Sequence, residues 1–141
     1  MEKKINIKIN DIILLAVSFC FLIGMKFVFG PCGPKEDGGF MACHWAGNAI
    51  TGLAAVLTAI SVIHIIVQNN QLKMGLALST VPIAVFAFLI PNRVINLCMM
   101  HDMRCHTVMA PAVIVFSTLV IAAAAADLFM LYNRNKEPKE E

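Results

Sequence analysis

The pattern Met-x-Cys-His occurs twice in this chain, as Met41-Ala42-Cys43-His44 and Met103-Arg104-Cys105-His106. Each copy has a cysteine upstream, Cys32 before the first and Cys98 before the second, and each runs directly into a long apolar segment. Four cysteines in an oxidising compartment read first as two disulfides. Pairing Cys32 with Cys43 and Cys98 with Cys105 would staple each connector, whereas cross-pairing would lock the connectors together. A second chemistry is metal or haem binding. His44, His101 and His106 stand among Met41, Met99, Met100, Met103 and Met109. Imidazole and thioether ligands suit copper, and a His pair or a His/Met pair suits haem iron. His44 and His106 are the best-placed ligands in that reading, with Met41, Met103 and His101 beside them. The sequence has no Cys-x-x-Cys-His, so covalent c-type haem attachment has no support.

These residues need a scaffold, and composition says which. Of 141 residues 59% are hydrophobic and 14% charged, too little charge for the surface of a soluble domain. Four apolar runs long enough to span a bilayer predict an all-α, four-transmembrane-helix bundle forming a single domain. The helices are expected at about 11–29, 45–67, 74–90 and 107–132, with a frayed tail at 133–141. The basic start and first apolar run are read as a retained helix, since no small-residue cleavage site follows. The first connector is rich in Gly and Pro and so is a loop. Trp45 suits a membrane interface, residues 68–73 suit a polar turn, and Pro82 suggests a kink in the third helix. Pro111 falls in a first turn, where proline is tolerated. Gly47, Thr51, Ala55 and Ala59 recur every four residues, a stripe that lets another helix approach closely. The fifth cysteine, Cys20, is expected as a small buried apolar residue. The formal net charge of +2 comes from scattered basic residues, which excludes a nucleic-acid footprint.

An even number of crossings puts both termini on one side. Lys3, Lys4, Lys8, Lys73, Arg134, Lys136 and Lys139 fall on that side, against Lys35, Arg93 and Arg104 in the two connectors. The positive-inside rule therefore predicts cytoplasmic termini and extracytoplasmic, cysteine-rich connectors. Residues 11–67 and 74–132 share one plan: apolar helix, Pro, Cys, M-x-C-H, apolar helix. That plan predicts two pseudo-repeated hairpins related by an axis along the membrane normal.

Lys26, His64 and Asp127 are the ionisable residues inside apolar segments, where such groups are costly. At about 1.5 Å per residue, His64 and Asp127 lie at similar depths below the two motifs. They are expected either to pair or, the reading preferred here, to reach the inner interface separately. Lys26 is expected to snorkel outward on its long stem.

Pro31-Cys32-Gly33, Met41-Ala42-Cys43-His44-Trp45 and Met103-Arg104-Cys105-His106 on four helices resemble a family of small bacterial four-helix membrane proteins of unknown function. The resemblance covers residues 11 to about 132. It implies a bacterial inner-membrane location and association with ABC-type export systems, and it supplies no catalytic residues. At the level of architecture the chain also looks like quinone-linked disulfide-forming oxidoreductases. Those keep a close Cys-x-x-Cys pair, whereas ten and six residues intervene between the outer cysteines here. The combined expectation is a non-enzymatic accessory or partner subunit of a membrane transport complex, capable of homo-oligomerisation. Copper or haem binding and thiol–disulfide exchange are the alternatives.

Overall fold

In the computed structural model, residues 9–30, 33, 37–40, 42–97 and 104–136 are described. They form four helices: α1 (Ile9–Ile23), α2 (Ala42–Ile66), α3 (Asn70–Leu89) and α4 (Ala110–Lys136). All four spans are long and apolar enough to cross a membrane, so the chain is an all-α integral membrane bundle.

The reason these segments form a bundle lies in their buried positions. On α1 these are Asp11, Leu14, Ser18 and Phe21, and on α3 Lys73, Ala77, Thr80, Ala84 and Ala87. On α2 and α4 they run Ile50, Ala54, Leu57, Ser61, His64 and Val113, Ser117, Val120, Ala124, Asp127, Leu131. Spacings of three and four alternate on every helix, which is the seam of a left-handed bundle. Alanines on the seams let the backbones close up, and packing of this kind is what associates helices in lipid. The opposite faces expose Ile12, Phe19, Val62, Leu78, Val115 and Phe129. Such a surface suits hydrocarbon. Each helix packs chiefly on its two neighbours in chain order, and α4 closes back on α1. Hence α1 lies diagonally across from α3, and α2 from α4.

At the connector end three helices widen into a single π turn. Gly24–Val28 follows α1, Ile90–Val94 follows α3, and Cys105–Met109 precedes α4. Pro91 explains the second, because a residue without an N–H cannot make the ordinary helical bond; Ile95 N–H instead donates to Ile90 O at 3.1 Å. In the first, Phe29 N–H donates to Gly24 O at 2.7 Å. A Cβ on Gly24 would meet Phe29 Cε2 at 2.9 Å, so glycine is what allows this ring to fold back. Phe29 lies against Phe116 of α4 (6.1 Å between centroids), and Phe21 stacks on the same ring at 5.4 Å.

Several boundaries differ from the sequence reading. Helix α2 begins at Ala42, placing Cys43 and His44 in a first turn rather than in a connector. Helix α3 begins at Asn70 because the Asn69 side chain caps it, accepting from Gln71 N at 3.1 Å. The stretch expected as a polar turn is thus mostly helical, and it carries Lys73 into the bundle. Pro82 lies inside α3 without ending it, and α4 continues to Lys136, beyond the expected 132. Cys20 is exposed on the outer face of α1, out of phase with the seam. The small-residue stripe divides: Gly47 is buried, Thr51 turns its hydroxyl onto Gly47 O at 2.7 Å, and Ala55 and Ala59 face outward.

Candidate functional site

Each seam carries one ionisable residue near the end of the bundle where α1 and α3 begin and α2 and α4 finish. These are Asp11, His64, Lys73 and Asp127, only 1%, 1%, 5% and 1% exposed. They meet across the bundle. Lys73 Nζ lies 2.5 Å from Asp11 Oδ2, spanning the α1–α3 diagonal. His64 Nε2 lies 3.0 Å from Asp127 Oδ2, spanning the α2–α4 diagonal. The diagonals are joined by His64 Nδ1, 3.5 Å from Asp11 Oδ1, and by Asn10 Nδ2, which donates to Asp127 Oδ1 at 3.3 Å. Four side chains from four helices thus form one crossed ionic layer.

Among the described residues of the layer two carboxylates face one ammonium, and Asp127 has a further interaction beyond these. The hydrogen bonding is incomplete. Asp11 Oδ1 and both His64 ring nitrogens are fully buried, yet none makes an aligned hydrogen bond among the described residues. A buried polar atom left without such a bond costs about 1–3 kcal/mol. Ionisable groups at membrane depth are functional-site candidates by default. Asp11, His64 and Asp127 can each turn one ligand atom into a common space, all within 4.8 Å of one another. Farther up the seam, the Ser18 and Ser61 hydroxyls are 3.2 Å apart, and Thr58 Oγ1 donates to Ser18 O at 3.2 Å. Those contacts tie α1 to α2.

Among the residues singled out from the sequence, His64 and Asp127 are brought together and buried, instead of reaching an interface separately. Lys26 is exposed at the connector end, far from them. Cys43 and Cys105 are fully buried in the core, with Met109. His44 is half-buried, stacked on Phe40 at 4.3 Å with Trp45 edge-on at 6.2 Å, and His106 is half-buried. Cys32, Met41, Cys98, Met99, Met100, His101 and Met103 lie outside the described residues. Asp11, Lys73 and Asn10 are not marked as site residues by the sequence, because polar and charged residues at segment ends ordinarily face water. The signal was their phase: Asp11 is in register with Leu14 and Ser18, and Lys73 with Ala77 and Thr80.

Comparison with curated proteins and with solved structures finds no match. A family match does exist, over residues 13–130, which takes in His64, Lys73 and Asp127 and starts just past Asp11. Covering most of the chain, it shows that this four-helix protein belongs to the family described as a domain of unknown function, DUF4418.

Proposed function

We propose that the protein is a non-enzymatic partner subunit of a membrane transport assembly in a bacterial inner membrane. The observation that carries this reading is the sorting of its side chains. Asp11, His64, Lys73 and Asp127 are gathered into one intramolecular layer, Lys26 alone of the described charged groups in the spans standing exposed at the connector end, while the outer faces are mostly apolar. What such a surface can recognise within the bilayer is another helix. On α2 the outward strip Ala49, Gly52, Ala55 and Ala59 is made of small residues. A Cβ on Gly52 would meet nothing within 4 Å, so a neighbouring backbone has room to approach there.

Three further features belong to this proposal. The termini lie in the cytoplasm, supported by the lysine and arginine distribution. The connector end is a disulfide-stapled cap, supported by the complete burial of Cys43 and Cys105. The two hairpins are repeats, supported by the π turns that close both α1 and α3.

The test is co-purification of the full chain from native membranes in mild detergent. A larger membrane protein should accompany the wild type and be lost in Gly52→Leu/Ala55→Leu, with the helical content of the variant unchanged. Recovery of the chain alone from cross-linked membranes would overturn the reading.

A further inference from the structure

We propose that Asp11, His64 and Asp127 form a binding site for a divalent transition cation of the zinc type, with Lys73 as its outer partner. Two observations on the layer point the same way. First, the donor set is one imidazole and two carboxylates, drawn from three helices, with ligand atoms within 4.8 Å of one another. Nitrogen and oxygen ligands in that ratio suit zinc or manganese. A four-coordinate ion with bonds of about 2.0–2.2 Å holds its ligand atoms about 3.3–3.6 Å apart, so these side chains would draw closer around it. Second, His64 is 1% exposed, and neither of its nitrogens makes an aligned hydrogen bond among the described residues; Asp11 Oδ1 is in the same position. A neutral imidazole carries one lone pair, and a buried ring nitrogen without an aligned hydrogen bond can offer it to a cation.

Lys73 fits the site instead of opposing it. It occupies Asp11 Oδ2 and leaves Oδ1 for the ion, and Asn10 holds the other Asp127 oxygen, Oδ1. Ligating carboxylates are commonly oriented by such hydrogen-bonding partners. This site is separate from His44 and His106, which lie at the opposite end of the bundle. It does not depend on the partner-subunit reading.

The experiment uses the full-length protein in detergent, stripped with a chelator, then loaded with zinc alone and washed. Metal analysis should give one zinc per chain, retained in His44→Ala/His106→Ala and absent in His64→Gln and in Asp127→Asn. Lys73→Met should still load but bind roughly tenfold more weakly, as outer-shell changes do. X-ray absorption of the loaded wild type needs no variant to fold, and it should show a nitrogen and oxygen shell without sulfur. A sulfur shell would overturn the proposal by placing zinc among cysteines or methionines. So would zinc retained in both ligand variants, or no zinc above the washed background, which would make the layer an ion-pair latch only.

Discussion

At the scale of single residues the decisive fact is that each ionisable side chain of the layer meets a partner from another helix. Removing one partner strands the other. Lys73→Met takes from Asp11 the ammonium that pairs with it, and breaking a buried pair in this way costs about 3–5 kcal/mol. The double change Asp11→Leu/Lys73→Met removes both charges, so it should be markedly milder than Lys73→Met alone. Reversible unfolding in mixed micelles measures both; a double variant as unstable as the single one would mean that Lys73 acts mainly through packing. Gly24 is a second sensitive position. With Phe29 Cε2 2.9 Å from where a Cβ would stand, Gly24→Ala should cost about 1–3 kcal/mol, as overpacking does. Gly24→Ala/Phe29→Leu should recover part of that loss in the same assay. The connector histidines are different. His44 stacks on Phe40, so His44→Ala/His106→Ala should keep the same co-purifying partner, and a visible absorption band lost in that variant would favour the haem or copper alternative.

At the scale of helices, what could be read from the chain depended on what each residue's neighbours allowed. Helix number and type were legible because long apolar runs in lipid have no alternative to internal hydrogen bonding. The depths of His64 and Asp127 were legible by counting rise per residue, but whether they would meet was not. Meeting requires α2 and α4 to stand on a diagonal with their seams facing, and only tertiary packing sets that. Asp11 and Lys73 were harder to find, since a carboxylate or ammonium one turn from a helix end usually reaches water. Here the Asn69 cap starts α3 early enough to place Lys73 inside. Asn69→Ala should therefore weaken more than one exposed turn: the cap itself accounts for about 1 kcal/mol, and a larger loss would report loosening of the Lys73–Asp11 contact. Hydrogen exchange of the residue 70–73 amides separates the two. The π turns were not legible at all except at Pro91, where the missing N–H was visible in advance.

At the scale of the whole molecule, an inner charge layer joins the four helices and an apolar exterior meets the hydrocarbon. The crossed pairing has a further consequence for how the protein is made. The first hairpin carries Asp11 and His64, the second Lys73 and Asp127, and each of the shorter contacts, Lys73–Asp11 and His64–Asp127, joins one hairpin to the other. A lone first hairpin would face lipid with an acid whose ammonium has yet to arrive. The layer then acts as a checkpoint in biogenesis: the bundle can become inert to the bilayer only after the second hairpin has docked. Halves cut at residue 67 and expressed together should find each other and persist, whereas either half alone should be cleared from the membrane quickly. Pulse–chase of the halves would show it, and equal lifetimes alone and together would mean that the charges play no part in proofreading.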